Sequence, residues 1–102
     1  MIAVRYDPDA ALELLDQAAY LEAQRDGLGR RFLAEVKESE ALIAQFPLSS
    51  VEVEEGIRKR VLPTFQYSLL YHVDADGALI LAVAHHKRSP GYWRTRGSGG
   101  TL

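Results

Sequence analysis

The sequence predicts an α+β fold: a strand, a helical hairpin and then a three-stranded antiparallel meander, in two layers with the helices on one face of the sheet. Two observations lead to this prediction. Two segments with apolar residues at helical spacing come first, separated by only four residues, and three segments with strand-like alternation follow. The 102 residues suffice for one domain. We expect that domain over residues 1–96 and a flexible, glycine-rich tail over 97–102.

The first two elements have clear boundaries. The segment Ile2–Tyr6 alternates apolar and polar residues, which predicts a short strand. Asp7 can then cap a helix, and Pro8 stands at the first helical position, where its missing N–H is not needed. On this helix Glu13 is expected to remain in water. A stripe at helical spacing is expected to face the core and comprises Ala11, Leu14, Leu15 and Ala18.

The remaining elements follow from changes of period. A second helix is predicted over Gly29–Phe46 and must end before Pro47, because a proline disfavours helical backbone at the preceding residue. Asp76 and Gly77 then mark a tight turn between two strands. The three predicted strands are Gly56–Leu62, Phe65–Val73 and Ala78–His86. The sheet face away from the helices is expected to stay open.

Charge is divided unevenly along the chain. Residues 1–56 carry 5 Lys or Arg and 12 Asp or Glu, whereas residues 57–102 carry 7 and 2, so the formal net charges are −7 and +5. The C-terminal half therefore either presents a positive surface to an anionic partner or simply pairs with the acidic layer of the same fold.

Several classes of protein are excluded or disfavoured. The chain has no cysteine, which excludes disulfides, thiolate metal sites and thiol redox chemistry. No apolar run approaches the roughly 18 residues of a membrane span, and the N-terminus lacks the pattern of a secretory signal. We expect a soluble, cytoplasmic protein with no membrane partner.

The segment AHHKRSPGYW, residues 84–93, holds most of the candidate chemistry. His85 and His86 are neighbours on a predicted strand, so their side chains should point to opposite faces and only one can join any given site. Acidic residues and cysteines are absent at ligand spacing beside them, and we expect no metal site and no cofactor. A histidine here can act as a general acid or base, or simply form a structural hydrogen bond.

Basic and aromatic residues complete the set of candidates. Arg58 and Arg60 lie on one face of a predicted strand, and together with Arg88 they would form an anion pocket. In so short a chain Trp93 is expected to anchor the last segment to the core rather than to stack on a base. The Tyr92 hydroxyl can donate or accept a hydrogen bond.

Over nearly its whole length the chain resembles the RelE/ParE toxins of bacterial type II toxin-antitoxin modules. The resemblance rests on AAYLEAQ, GLGRRFLAEV, the FP that closes the second helix, GIRKRVLPTFQYSLLYHV and AVAHHKRSPGYWRTR. Its most specific part is the ending, formed by His85, Arg88, Pro90, Tyr92, Trp93 and Arg96. The resemblance implies a RelE/ParE-like two-layer domain and a growth-inhibiting toxin of the kind linked to plasmid stabilisation. It also implies a cognate antitoxin that is encoded adjacently. The toxin would be associated with DNA only through this antitoxin.

Two activities occur in this family. RelE-like members cut ribosome-bound mRNA without a metal, and the residues that would then serve as acid, base and cation are Arg58, His85 or His86, Arg88 and Tyr92. ParE-like members inhibit DNA gyrase with no identified catalytic residue. The pI of about 5.9, and Lys59 as the one lysine of the meander, weigh against binding to an RNA surface. We therefore expect a ParE-like toxin; a degenerate member that only binds an antitoxin is the third alternative.

A larger group of residues is expected to contact the target or the antitoxin. They are Arg58, Arg60, Tyr67, Tyr71, His86, Arg88, Trp93 and Arg96. The antitoxin is expected to occupy an apolar groove flanked by basic residues, so that the free toxin exposes a hydrophobic surface.

Overall fold

Two helices cover one face of a five-stranded sheet in the computed structural model, which describes residues 1–97. In chain order the elements are β1 (Val4–Tyr6), α1 (Pro8–Gln24), α2 (Leu28–Gln45), β2 (Val51–Glu54), β3 (Ile57–Val61), β4 (Tyr67–Asp74) and β5 (Gly77–His85). The order across the sheet is β1-β5-β4-β3-β2; β1 runs parallel to β5 and the other neighbours are antiparallel. The predicted two-layer α+β fold is confirmed.

The meander has four strands rather than the predicted three, because β2 was missed. Its sequence, VEVE, is short and half acidic, and glutamate is uncommon in strands. The strand forms at the sheet edge by pairing with the basic strand β3, where Glu52 lies opposite Arg58 and the two side chains approach to 3.9 Å. Pairing with the oppositely charged strand β3 thus compensates for the weak preference of this segment for strand structure.

Helix α1 begins as predicted, and of the predicted stripe Ala18 is buried whereas Leu15 turns away from the core. The N–H of Asp9 donates to Asp7 Oδ1 at 2.9 Å, and Pro8 is the first helical residue. Leu14 packs partly buried against the core, but its neighbour Leu15 is 62% exposed. Adjacent helical residues are rotated by about 100°, so both cannot face the sheet. The buried residues of α1 are Ala10, Ala18 and Leu21.

The main core lies between the helices and the sheet. Phe32 of α2 packs its ring 4.9 Å from that of Tyr67 and 5.3 Å from that of Phe65. Tyr67 and Tyr71 are buried in this core, where the Tyr67 hydroxyl donates to Gln17 and the Tyr71 hydroxyl donates to the carbonyl oxygen of Pro47. Their hydroxyl groups are therefore satisfied inside the fold.

Strict alternation fails in β5 because the strand contains a β-bulge. Leu70 pairs with Ala82 and the next residue, Tyr71, pairs with Ile80, which leaves Leu81 as an extra residue. Leu81 and Ala82 both face away from the helices, whereas the residues on either side of them face the main core. Strict alternation counted back from His85 would therefore assign Leu81 and the residues before it to the wrong faces.

The face of the sheet away from the helices, called the second face below, is not fully open as predicted. Residues 86–97, called the C-terminal segment, fold back over β4 and β5. Trp93 is only 6% exposed and packs against Leu70, Leu81, Ala82 and Ala84. The prediction that Trp93 anchors the end of the chain is confirmed.

The C-terminal segment closes on the first helix. The N–H of Gly97 donates to Asp7 Oδ2 at 3.0 Å, so the first residue of the predicted flexible tail is tied to the helix cap. The rest of that tail, residues 98–102, lies outside the described residues. Across residues 1–97, the helices are too short or too polar to cross a membrane.

Candidate functional site

A cleft of about 300 Å³ lies on the second face, between the C-terminal segment and strands β2–β5. It brings together several residues singled out from the sequence, His86, Arg88, Tyr92 and Trp93, and it is also lined by His85, whose ring packs on Tyr67 on the other side of the sheet. Lys59 and Ser68 line its floor, and Arg94, which binds Glu54 at 2.9 Å, closes one side. The predicted cluster at the end of β5 therefore exists, with Lys59 as its contribution from β3.

Glu13, which was predicted to remain in water, is the residue on which the C-terminal segment converges. Its side chain is only 14% exposed. Oε1 accepts hydrogen bonds from the Val83 N–H at 3.1 Å and from Arg96 Nη1 at 2.8 Å, and Oε2 accepts one from the Tyr92 hydroxyl at 2.7 Å. Arg88 Nη1 lies 4.0 Å from the same Oε2. One carboxylate of α1 thus joins the helix, β5 and the C-terminal segment.

Two arginines flank the Tyr92 ring. The guanidinium carbon of Arg88 lies 3.7 Å from the ring centroid and that of Arg96 lies 5.0 Å from it, which are distances at which a cation is attracted to an aromatic face. Burial, followed by the hydrogen bond to Glu13, raises the pKa of the Tyr92 hydroxyl well above its ordinary value. Tyr92 therefore remains a protonated donor at neutral pH.

Arg96 is tied to the acidic start of α1. It bonds Glu13, donates to the carbonyl oxygen of Leu81 at 3.2 Å and lies 3.9 Å from Asp9. Burial alone would lower the pKa of its guanidinium. The bond to Glu13 and the nearby negative charges outweigh this effect, so the pKa is raised above its ordinary value. Arg96 is consequently part of the internal framework, although it was predicted to contact a partner.

The two histidines diverge, as predicted. The His85 ring packs edge-on at 5.0 Å from Tyr67, on the side of the helices, and its Nδ1 accepts from the Lys87 N–H at 3.0 Å. His86 Nε2 lies 3.0 Å from the hydroxyl oxygen of Ser68, a residue that faces the second face beside Leu70. His86 is therefore the histidine of the second face, and both rings already have polar partners.

Arg58 does not join this group. It pairs across the strands with Tyr71, which puts its side chain on the helix-facing side of the sheet, and it donates to the carbonyl oxygens of Leu48 at 3.1 Å and Ser50 at 2.7 Å. Arg60 lies on the same side, opposite Leu69. The predicted pocket of Arg58 and Arg60 with Arg88 is therefore wrong, because alternation along β3 places Lys59 on the second face instead.

Three of the aromatic residues expected to contact a partner are buried. Tyr67 and Tyr71 lie under the helices and Trp93 lies under the C-terminal segment. Their contacts are with the core of this chain. Within residues 1–97, acidic residues and histidines do not gather in groups of three that could hold a metal ion.

Comparison with known families identifies the class of the chain. Residues 4–90 match the model of the family described as "ParE toxin of type II toxin-antitoxin system, parDE". The chain belongs to the ParE toxin family. The match ends at residue 90, so Tyr92 and Arg96, which close the network on Glu13, lie beyond it.

A solved structure has the same fold as this ParE-family chain. It is described as the chromosomal ParDE TA system from P. aeruginosa, and it aligns with a TM-score of 0.60 at 14% sequence identity, over 83% of this chain and 96% of that one. At this identity the likeness shows the fold. None of the curated protein sequences matches the chain.

The geometry limits what this ParE-family chain can do chemically. Strand-end groups that could transfer protons, His85, His86 and Tyr92, are all hydrogen-bonded within the chain. The Arg88 side chain, in contrast, is about half exposed, and its contact with Glu13 is long, at 4.0 Å. Lys59 and Lys87 are exposed as well. The site therefore offers cations to a partner more readily than it offers an acid and a base.

Proposed function

We propose that this chain is a toxin that inhibits DNA gyrase by binding it and that a cognate antitoxin neutralises the toxin by binding directly. The observation that carries the proposal is the match of residues 4–90 to the ParE toxin family. Gyrase inhibition is the activity that the resemblance implied for ParE-like members. Gyrase acts in the cytoplasm, and we place the toxin there.

The state of Tyr92 supports binding rather than catalysis. RNA cleavage without a metal needs a base for the 2′-hydroxyl, an acid for the leaving oxygen and a cation for the phosphorane. The Tyr92 hydroxyl donates a hydrogen bond to Glu13 instead, and burial and this bond raise its pKa. Arg58, the predicted second cation, holds the chain after α2 on the other side of the sheet. Two of the groups needed for cleavage are therefore engaged in contacts within the chain, and they lie in different parts of the fold.

Charge supports the same conclusion. The formal net charge of −2 disfavours binding to a ribosomal RNA surface, for which basic proteins are suited. Exposed positive charge lies at the cleft, on Lys59 and Arg88, and Lys87 beside it is exposed as well. Such a patch suits a defined site on a protein or protein–DNA complex.

We propose that the antitoxin covers the uncovered part of the second face. Val51 pairs with Lys59, and Val61 pairs with Ser68, so both valines face the same side as the cleft. Both are exposed, next to the cationic patch. An antitoxin segment with apolar and acidic residues would match this combination.

A second candidate function is cleavage of ribosome-bound mRNA, which is favoured by the position of His86, Arg88 and Tyr92 around one cleft. Expression of the chain in bacteria without an antitoxin distinguishes the possibilities. Loss of negative supercoiling in a reporter plasmid supports gyrase inhibition. New 5′ ends in translated mRNA, absent with Arg88→Ala, would support the nuclease, and normal growth with neither change would indicate a degenerate member.

A further inference from the structure

Helix α1 carries a second apolar stripe that faces away from the core. Leu12 is 59% exposed and Leu15 is 62% exposed, and Ala19 and Ala23 are exposed as well. These four positions are separated by three or four residues, so they lie on one side of the helix. The outer side of a helix in a monomeric domain is usually charged or polar. Here, the acidic residues Asp16 and Glu22 adjoin the stripe in sequence, next to Leu15 and Ala23.

The stripe changes in bulk along the helix. Its first half presents two leucines, Leu12 and Leu15, and its second half presents two alanines, Ala19 and Ala23. Helices pack closely where large side chains on one fit over small side chains on the other. A helix that runs in the opposite direction, with the same gradation of bulk, would therefore match this surface.

We propose that α1 packs antiparallel against α1 of a second copy of this chain, about a two-fold axis between positions 17 and 18. Leu12 then lies over Ala23 of the partner subunit, and each copy makes the same contact in reverse. Such a self-complementary interface closes as a dimer.

Polar groups beside the stripe fit the same arrangement. Asp16 and Tyr20 lie on opposite sides of this axis along the helix, about 1.5 and 2.5 positions from it, so each Asp16 carboxylate would lie close to Tyr20 of the partner subunit, whose hydroxyl can donate to it. Tyr20 is exposed and so is accessible for this contact. Antiparallel helices also place their opposite dipole ends side by side, which is favourable.

The expected dimer is weak. Helix α1 has 17 residues, which at 1.5 Å per residue gives a contact about 25 Å long. The surface that one helix pair of this length buries is at or below roughly 1,200 Å², the smallest area typical of stable interfaces. Association is therefore expected at micromolar concentrations. The second face, with the cleft and the proposed antitoxin surface, would remain accessible in the dimer, so the inference is independent of the proposed function.

Sedimentation equilibrium of the purified full chain, from low micromolar to near-millimolar concentration, tests the proposal. We expect a monomer–dimer equilibrium that Leu15→Glu weakens by at least about tenfold, which is 1.4 kcal/mol. The matched control is Leu48→Glu, because Leu48 is 64% exposed in the turn after α2, and it should leave the equilibrium unchanged. Both positions are exposed, so both variants should fold, which circular dichroism verifies.

A second variant separates complementary packing from general stickiness. Ala23→Leu enlarges the half of the stripe that must accept a leucine, so it should weaken the dimer although it adds apolar surface. Stronger association of Ala23→Leu would overturn the proposal, as would a monomer at every concentration or a dimer lost with Leu48→Glu. If the chain is monomeric and Leu15→Glu weakens binding of the antitoxin instead, the stripe belongs to the antitoxin and the proposal fails.

Discussion

The Tyr92 hydroxyl donates to Glu13 Oε2 at 2.7 Å and so joins the C-terminal segment to the first helix across 79 positions of sequence. The same carboxylate holds Arg96 and the N–H of Val83. Glu13 therefore fixes the position of the strand end and of the segment that carries Arg88. The shape of the cleft on the second face depends on a residue of the opposite layer.

Glu13→Gln is expected to destabilise the fold by about 2 kcal/mol, because hydrogen bonds to a charged group are lost and Arg96 is left without its closest counter-charge. Urea unfolding measures the change as a lower midpoint. Glu38→Gln is the control, since Glu38 is exposed on α2, and it should change stability by less than about 0.5 kcal/mol. Equal stability of the two variants would show that Glu13 does not anchor the segment.

The raised pKa of Tyr92 predicts a loss of stability at alkaline pH. The pKa of Tyr92 is higher in the folded protein than in the unfolded chain. Between these two pKa values the phenol is ionised only in the unfolded chain, so the unfolded state binds fewer protons. This contribution is complete below about pH 10, the ordinary tyrosine pKa, and decreases as the pH rises above it. Unfolding free energies of the wild type and of Tyr92→Phe, measured from pH 8 to pH 11 or so, should converge with increasing pH. A constant difference would contradict the assigned role.

Trp93 is the one tryptophan of the chain and reports directly on the C-terminal segment. Because it is 6% exposed, acrylamide should quench its fluorescence weakly in the folded protein. Glu13→Gln should increase this quenching under conditions where the helices remain folded by circular dichroism. Unchanged quenching in that variant would mean that Trp93 holds the segment without Glu13.

Gly77 permits the close approach of β1 to β5. Its φ is +117°, and a Cβ atom there would lie 2.3 Å from the carbonyl oxygen of Ala3. Gly77→Ala should therefore destabilise the fold by about 2–4 kcal/mol. Gly56→Ala is the matched control: φ is +78°, but the nearest atom would be 3.6 Å away, at His72. There we expect only the roughly 1 kcal/mol cost of a left-handed backbone, and urea unfolding of both variants measures the difference.

Local sequence signals predicted the helices and the end of the chain. Asp7 and Pro8 define the start of α1, and Pro47 follows the end of α2 closely. Each signal acts through the backbone of its own neighbourhood, which a sequence displays directly. The burial of Trp93 was predictable for a similar reason, since a large aromatic residue near the end of a small domain has a strong tendency to pack on the core.

Contacts between distant positions were not predictable in this way. The bulge at Leu81 reverses the faces of β5, and it arises from pairing with β4 rather than from the pattern of β5 itself. Glu13 lies in an acidic helix where solvent exposure is the usual outcome, and its donors come from β5 and the folded C-terminal segment, which are distant in sequence. One available signal was the excess of arginines in that segment, which need counter-charges somewhere in the molecule.

The most direct test of the central claim is a supercoiling assay with purified DNA gyrase, relaxed plasmid and the full chain. The account predicts that the toxin suppresses supercoiling in a dose-dependent manner and that prior mixing with equimolar antitoxin restores it. The His85→Ala/His86→Ala double variant should still inhibit, because neither ring is assigned to proton transfer. Full supercoiling in the presence of excess folded toxin would contradict the claim that this ParE-family chain acts on gyrase.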